Sequence, residues 1–509
     1  MANAPGVNVT VNTPSSSPQT NNPTGTWFVT GITAGGPSGI AVPVNSIQDL
    51  TTYFGTVSNG SVTSRTSESA LLYDSLDVYF REGGINAFVS RVAANDGDVA
   101  TCVIYAQDET PWLNLTAIGN GTWANNVDPG YGLEVTIAVA GNGGYSLTVF
   151  LNGNQIGQTS PALFTAIDAV SWINSQPAPG LLFTAVAQSG VGVPSADTRG
   201  FINGADGTVV ETDWTNALEA FTSAYGPGQV SAPGHVTADG FKALSDHAYN
   251  NNRVALFDSE DLSDVESLVA QAQSTQVGSM AAAIDSSYGA LFAPWIKVPG
   301  ISSTQPNTIA PSFTRLVPPS ALVAARIAAV DAVHDANFPA AGVQNGSASY
   351  ATDVTVTYSA SDRATLNSAG VNLLRNINGT VAVYGYRSLS TDTNWIMFNN
   401  VRFRMQILRD LDVVAEPFVF AEIDGKGQIF ARLAGALSGQ CQLYWLRNSI
   451  YGTNVNDSFT VNCGPQVNTP ATIAAGQLNA QINLRMAPQA ELVSISVTKY
   501  LSSASLPSY

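Results

Sequence analysis

Charged side chains are scarce in this sequence. Lys, Arg, Asp and Glu together make up 11% of the 509 residues, whereas soluble domains usually contain roughly 25%. The chain has 20 Lys and Arg against 37 Asp and Glu, which gives a net charge of −17. Because phosphate groups are bound by cationic surfaces, this balance argues against a nucleic-acid ligand, and it also disfavours an anionic membrane surface. Depleted charge is typical of interface cores, so the composition favours extensive assembly, with lineage composition as the alternative explanation.

Cysteines and long apolar runs are also lacking. Cys102, Cys441 and Cys463 lie far apart with no CxxC spacing, so the sequence predicts neither a disulfide framework nor a zinc site. No apolar run reaches the length of a membrane span, and the first residues show neither the basic nor the apolar region of an export signal. We therefore expect a soluble protein that is made in a reducing cytosol.

The usual motifs of catalysis are missing as well. His235, His247 and His334 lie in different segments without the spacing of metal ligands, so we predict surface or capping roles for them. The sequence contains no GxSxG elbow, no GxxxxGK[ST] loop and no GxGxxG after a predicted strand. We predict no catalytic residues, no metal and no cofactor.

The charge that is present is distributed unevenly. Residues 1–288 contain 6 Lys and Arg and 25 Asp and Glu, while residues 289–509 contain 14 and 12. We interpret the acidic part as solvated and the nearly balanced part as the region that packs against partners.

Patterns of hydrophobicity divide the chain into several domains, as its length requires. The class predicted is a multidomain, mixed α/β protein, in which helical and strand periodicities alternate along most of the chain. The predicted parts are an extended arm at 1–24, an α/β core at 25–94 and 205–365, an inserted β-rich domain at 95–204, a C-terminal α/β domain at 366–488, and a terminal strand at 489–509.

Three local predictions concern the second half of the chain. The sequence MAAAIDS, residues 280–286, is a candidate strand. A helix is predicted over about 400–416, ending at Pro417, and another over about 425–438, with Asp424 as its cap and Gly439 as its terminator.

Several ordered stretches of the C-terminal half match one known family. They lie at 288–299, 317–320, 366–375, 384–395 and 400–420. On these motifs the chain resembles the phage tail sheath family. The matching residues are Pro294, Trp295, Pro318, Pro319, Gly370, Asn372, Arg375, Gly385, Arg387 and Trp395.

The N-terminal half is similar to the family more loosely. Residues 5–7 resemble its opening motif, and residues 121–125 and 203–207 resemble two internal ones. Residues 333–342 depart from the family pattern, because the Trp and the basic residue that usually follow the Pro-Pro helix are missing.

The resemblance implies a structural subunit that forms stacked hexameric rings around an inner tail tube and contracts. The implied partners are other sheath subunits, the tail tube protein, and baseplate and tail terminator proteins, with no direct nucleic acid and no membrane. The implied location is a phage tail within the virion, assembled in the host cytoplasm.

Members of the family lend terminal strands to neighbouring subunits, and the resemblance implies the same here. The N-terminal strand would be Gly6, Val7, Asn8, Val9, Thr10 and Val11. The C-terminal strand would be Leu492, Val493, Ser494, Ile495, Ser496, Val497, Thr498, Lys499, Tyr500 and Leu501.

Contact with the tube is the least determined part of the prediction. The candidates are Arg402, Arg404, Arg409, Lys426 and Arg432, which lie on or near the two C-terminal helices. The alternative is that these cations pair inside the subunit with Asp410, Asp412 and Glu416, and the sequence favours neither.

Two other functions remain open. The chain could form the sheath of a non-phage device, namely a tailocin or an extracellular injection system. Less favoured is an α/β hydrolase, since no Ser/His/Asp arrangement stands out in the sequence.

Overall fold

A computed structural model describes residues 24–58, 61–126, 130–141, 143–177, 179–188, 193–261, 264–276, 279, 282–301 and 309–491. The two predicted lent strands, at 6–11 and 492–501, lie outside the described residues. The chain divides into two compact units, Met1–Phe420 and Ala421–Tyr509, which are described separately below as unit 1 and unit 2.

Strands occur throughout the chain. In chain order they are β1 Trp27–Gly31, β2 Val42–Val44, β3 Thr56–Ser58, β4 Ser61–Thr63, β5 Ala87–Arg91, β6 Val99–Tyr105, β7 Pro111–Asn120, β8 Leu133–Val139, β9 Tyr145–Leu151, β10 Asn154–Ile156, β11 Phe183–Ala187, β12 Thr198–Gly200, β13 Gln229–Ser231, β14 Val254–Asp258, β15 Gly289–Ala293, β16 Ile296–Ile301, β17 Ile309–Val317, β18 Asp353–Val354, β19 Val371–Ile377, β20 Thr380–Val383, β21 Phe459–Asn462 and β22 Gln481–Leu484.

Helices alternate with these strands along most of the chain, and α3 lies within the β-rich region. They are α1 Ile47–Phe54, α2 Ala70–Arg81, α3 Ala166–Asn174, α4 Glu211–Glu219, α5 Ala238–Asn250, α6 Val265–Gln273, α7 Pro319–Asp331, α8 Gly342–Asn345, α9 Ala360–Ser368, α10 Phe398–Ala415, α11 Gln428–Leu446, α12 Val455–Ser458 and α13 Pro470–Ala474. The predicted mixed α/β class is confirmed.

An eight-stranded sheet forms the centre of unit 1, in the order β2-β5-β1-β13-β14-β15-β19-β20. Its inner pairs are parallel, and only the edge strands β2 and β20 pair antiparallel. Strands β1, β14 and β15 are buried at every position, because a parallel sheet carries helices on both faces. Successive side chains of the strands point into two different apolar clusters, one on each face of the sheet. One cluster includes side chains of α1, α2, α7 and α10, and the other includes side chains of α4, α5, α6 and α9.

The large sheet crosses the domain boundary that we predicted at residue 366. Strands β19 and β20 lie beyond that residue, yet β19 pairs parallel with β15. The residues VNLL that open β19 are all buried, so joining the sheet removes their apolar surface from water. The division between compact units comes later, after Phe420.

Of the three local predictions, the strand and the end of the second helix were wrong, and the first helix was confirmed. Residues 282–285 form no strand, because Asp285 accepts a bond from the backbone N–H of Ser287 and starts a helical turn; the strand begins at Gly289. Helix α11 continues past Gly439 to Leu446, since its buried stripe goes on through Cys441 and Tyr444. The helix predicted over about 400–416 is α10. The N-cap position of α11 is occupied by Gly427 instead of Asp424, but the Asp424 carboxylate accepts bonds from the backbone N–H groups of Lys426, Gln428 and Ile429 at the start of this helix.

Residues 99–200 build two smaller sheets that face each other across their own core. One has the order β10-β9-β8-β12 and the other β11-β7-β6. Strand β9 shows the alternating burial of a sheet with one covered face, and its inward side chains join Trp112 and Phe183 in one apolar cluster.

A buried carboxylate joins the large sheet to helix α7. Asp258, at the end of β14, accepts bonds from the Ser320 backbone N–H at 2.6 Å and the Ser320 hydroxyl at 2.8 Å. A third bond comes from the Gly234 backbone N–H at 3.2 Å. Asp258 therefore satisfies the Ser320 N–H group in the first turn of a helix that begins with Pro319. Burial raises the pKa of Asp258 to about 6, although these hydrogen bonds act in the opposite direction.

The raised pKa makes the stability of the fold depend on pH. Because the pKa of Asp258 is higher in the folded chain than the ordinary value of about 3.9, its contribution is complete below about pH 4 and is lost as the pH rises through about 6. We expect the stability of the wild type relative to Asp258→Asn to fall by up to about 3 kcal/mol between about pH 4 and about pH 7. Thermal unfolding of both proteins at the two pH values measures this. A difference that stays constant with pH would contradict the assignment.

Candidate assembly site

The residues that carry the family resemblance meet around the end of strand β15. The Ala293-Pro294 peptide bond is cis, and the indole N–H of Trp295 donates to the Ser259 carbonyl at 2.7 Å. Pro318 and Pro319 begin α7, so these motif residues set the path of the chain after the sheet.

Asn372 organises the motif residues that follow. Its side-chain N–H group donates to the carbonyls of Leu291 at 3.1 Å and Arg387 at 2.7 Å, and its carbonyl accepts from the Arg387 backbone N–H at 2.5 Å. Gly385 passes so close that a Cβ there would lie 2.9 Å from the Asn372 Cα. Asn372 thus connects β15 and β19 to the loop that precedes α10.

Arginines of the motif region make internal contacts with aromatic rings. The Arg404 guanidinium lies 4.2 Å from the ring centres of both Tyr288 and Trp395. Arg375 lies 4.8 Å from the Tyr384 ring. Such cation–π contacts hold neighbouring segments together, so these motif residues maintain the fold of the subunit itself.

Arg402 cannot contact a tube as we had predicted. Its side chain has no exposed surface and is paired with Asp331 at 2.5 Å. Burial by itself would lower the pKa of Arg402, but attraction to Asp331 outweighs it and raises that pKa. A buried charge needs such a partner, and the sequence could not identify it because Asp331 lies 71 residues away.

The other tube candidates have different surroundings. Arg404 is held between the two rings described above. Arg409 pairs with Asp410 at 2.7 Å, which is the internal pairing that the sequence left open. Lys426 and Arg432 are exposed in unit 2. Helix α10 therefore does not present a continuous cationic face formed by Arg402, Arg404 and Arg409.

A two-stranded sheet in unit 2 has edges suited to pairing with further strands. Strand β21 pairs antiparallel with β22, from Phe459 opposite Leu484 to Asn462 opposite Gln481. Among the described residues each strand pairs only with the other, so each has an outer edge whose backbone groups can accept a further strand. Thr460, Gln481 and Asn483 are exposed, which keeps one face of this sheet polar.

The large sheet, in contrast, has protected edges. Edge strand β2 contains Pro43, which has no N–H group to donate to a neighbour. Edge strand β20 is covered by residues 346–348: Ala348 donates to the Val381 carbonyl at 2.7 Å, and Val383 donates to the Gly346 carbonyl at 3.0 Å. A further strand is therefore blocked at this sheet.

The two internal motifs of the N-terminal half come together in space. The Asn125 side chain exchanges two bonds of 2.8 Å with the backbone of Gly204. Asp206 accepts from the Thr122 backbone N–H at 3.1 Å and lies 3.6 Å from Arg91. The motifs therefore fasten the point where the chain enters and leaves the β-rich region.

The histidines do not form a reactive group. His247, predicted as a surface or capping residue, is half-buried and accepts a bond from Arg253 at 2.9 Å. Burial, helped by the Arg253 charge, lowers the pKa of His247 to about 3. His235 stacks on Trp214 with ring centres 4.0 Å apart, and His334 stacks on Phe338.

The described residues contain neither a metal-binding cluster nor a membrane-spanning helix. Within the described ranges, no group of His, Cys, Asp and Glu side chains has an arrangement that could hold a metal ion. Likewise, no helix in the described part of the chain has both the length and the apolar character to span a bilayer.

Known structures show which class of protein has this fold. The helical sheath of the anti-feeding prophage in its contracted state superposes with a TM-score of 0.55, at 16% identity over 98% of this chain and 99% of that chain. The sheath of an extracellular contractile injection system in the contracted state gives 0.54, at 14% identity over 99% of both chains. A sheath tail protein from Listeria innocua gives 0.53, at 13% identity over 88% of this chain and 90% of that chain.

The chain thus has the fold of contractile sheath proteins, over nearly its whole length. Sequence comparison alone finds no matching family model and no matching curated protein. At such low identity the fold is retained while most side chains have changed.

The role of Asn372 can be tested by substitution. Asn372→Ala should lower the free energy of unfolding by about 2–4 kcal/mol, because it leaves buried carbonyl and N–H groups without partners. Asn376→Ala is the matched control on the same strand, since the Asn376 bond to Asp353 is exposed; we expect a change of about 0.5 kcal/mol or less. Thermal or urea unfolding gives both values. Equal effects would show that Asn372 does not organise the motif loop.

Proposed function

We propose that this chain is the sheath subunit of a contractile tail or injection device. It polymerises as stacked hexameric rings around an inner tube and contracts to drive that tube through an envelope. The observation that supports this is the similarity over nearly the full chain to two sheaths in the contracted state. We propose no catalytic activity, because a sheath works through its packing with other subunits.

The phage and non-phage alternatives share this mechanism. Solved neighbours include the anti-feeding prophage and an extracellular contractile injection system, so the fold is compatible with both. We retain the phage tail as the proposed setting, with the virion as location and baseplate and tail terminator proteins as partners. Capsid and terminase genes beside the gene would support the phage setting.

Subunits would be joined by lent strands, and unit 2 provides the acceptor. Residues 6–11 and 492–501 of neighbouring subunits would add to the outer edges of β21 and β22 by β-augmentation. The protected edges of the large sheet and the open edges of the small one support this choice. Residues 2–24 would span roughly 75 Å when fully extended, against a body about 60 Å across, so an arm is long enough to reach a neighbour.

The lent strands would supply much of the cohesion of the polymer. At about 0.5–1.5 kcal/mol net per hydrogen bond, a strand with several bonds contributes several kcal/mol. The same contact is repeated throughout a helical lattice. Complete detachment of a subunit during sliding would require all its links to break together.

Truncation tests the lent strands. Removal of residues 1–15 or of residues 490–509 should abolish polymerisation, while circular dichroism and thermal unfolding of the monomer stay close to wild type. Negative-stain electron microscopy of the purified full chain should show tubular polymers, which both truncated chains lack. Normal tubes from both truncations would refute the proposed links. Failure of the full chain to form tubes under any condition would refute the sheath function itself.

The tube contact is proposed for unit 2. Lys426 and Arg432 are the exposed cations among the original candidates, and they would meet acidic residues of the tube protein. Exposed charges of this kind mainly speed and orient association.

Charge reversal tests this contact. Lys426→Glu with Arg432→Glu should reduce the association of sheath with tube by about tenfold at low salt, and by less at high salt. The control is Lys242→Glu with Lys297→Glu, which reverses two half-exposed lysines of unit 1. Co-sedimentation with purified tubes measures the effect. If the two double variants bind tubes equally well, the contact lies elsewhere.

A further inference from the structure

The first described residues of the chain are deeply buried. Thr24 is 6% exposed and Thr26 is 1% exposed. Between them, Gly25 crosses α7 so closely that a Cβ would lie 2.7 Å from the Ala328 Cα. Only glycine fits at this crossing, because ordinary side chains do not approach a backbone atom to that distance. We call residues 24–26 the arm root.

A glutamine fastens the arm root to the same helix. The side-chain N–H group of Gln229 donates to the Gly25 carbonyl at 2.8 Å and to the Ala324 carbonyl at 3.3 Å. Gln229 belongs to β13 in the middle of the large sheet. The arm root is therefore held by sheet and helix together.

A line of buried polar contacts continues from the arm root to α10. The Thr24 hydroxyl donates to the Asp331 carboxylate at the end of α7. The same carboxylate oxygen accepts from Arg402 on α10 at 2.5 Å, and both charged side chains are at most 1% exposed. Arg402 also reaches the Tyr386 hydroxyl at 3.3 Å. One ionic pair thus connects the arm root to a helix more than 370 residues further along the chain.

Helix α10 is the last long helix of unit 1. It ends at Ala415, and the chain then passes through Phe420 into unit 2, which contains β21 and β22. The Asp331–Arg402 pair therefore links the N-terminal arm, which would lend a strand, to α10. Helix α10 in turn leads along the chain into unit 2, which would accept a strand.

We propose that Thr24, Gly25, Asp331 and Arg402 form the anchor through which tension on the N-terminal arm enters the body of the subunit. This inference rests on the proposed lending of residues 6–11 to a neighbour. Tension on the arm acts first on the arm root. The ion pair transmits this force to α7 and α10, so that β1 does not carry it alone. These four are positioning residues for assembly, since they lie inside the subunit.

The test compares two threonines that have similar surroundings and different positions. Thr24→Val removes the hydroxyl that bonds to Asp331. Thr30→Val removes a hydroxyl that is equally buried and donates to the Ser90 carbonyl at 3.1 Å, but lies within β1, beyond the arm root. Thr24→Ser keeps the hydroxyl and is the conservative variant.

Two measurements separate an anchor from ordinary core packing. The first is the melting temperature of the monomer, which both valine variants should lower, Thr24→Val by the larger amount because its hydroxyl bonds to a charged group. The second is the rate at which subunits leave preformed tubes in mild urea, followed by sedimentation. Thr24→Val should raise this rate about tenfold, the effect expected for losing one hydrogen bond to a charged group. Thr30→Val and Thr24→Ser should stay near the wild-type rate.

The possible outcomes distinguish this inference from the proposed function. Equal dissociation rates for Thr24→Val and Thr30→Val, with wild-type tubes forming normally, would overturn the anchor and leave the sheath function intact. A full chain that forms no tubes, or a chain lacking residues 1–15 that forms normal ones, would overturn the lent strand and the anchor with it.

Discussion

The ion pair between Asp331 and Arg402 connects the parts of unit 1 on which assembly would depend. It joins the end of α7 to the middle of α10, and Thr24 bonds to the same carboxylate. Removing two charged side chains from solvent costs free energy, and each of the two charges compensates the other. Loss of either partner would leave an uncompensated charge in the core. This constraint fixes the position of α10, and it removes Arg402 from any external contact.

Protection of strand edges explains where new strands can be added. The large sheet ends at one side in a strand with Pro43 and at the other in a strand covered by residues 346–348. A sheet this large with open edges would pair with other chains without control. Protected edges exclude a further strand at the large sheet, whereas β21 and β22 have outer sides that are unpaired within the described residues and would take the proposed lent strands. The proposed polymer would need such a restriction to keep a defined register.

The motif residues make contacts inside the subunit that hold its fold together. Asn372 and Gly385 hold the loop before α10, and Trp295 bonds to the Ser259 carbonyl. Their resemblance to motifs of the phage tail sheath family predicted the fold, and the structure shows that Asn372, Gly385 and Trp295 each hold a local part of it in place. The tube candidates were harder to judge, since an Arg on a helix looks the same in sequence whether it is exposed, stacked between rings as Arg404 is, or buried as Arg402 is.

The sequence by itself determined the mixed α/β class, the β-rich region within residues 95–204 and the position of α10, because hydrophobic periodicity and turn residues act over a few neighbours. Only the tertiary structure decided that β19 and β20 belong to the large sheet, that α11 continues past Gly439, and that Asp331 is the partner of Arg402. These outcomes depend on which distant segments share a buried surface. Burial and charge pairing between residues far apart in the chain leave no local pattern from which they can be read.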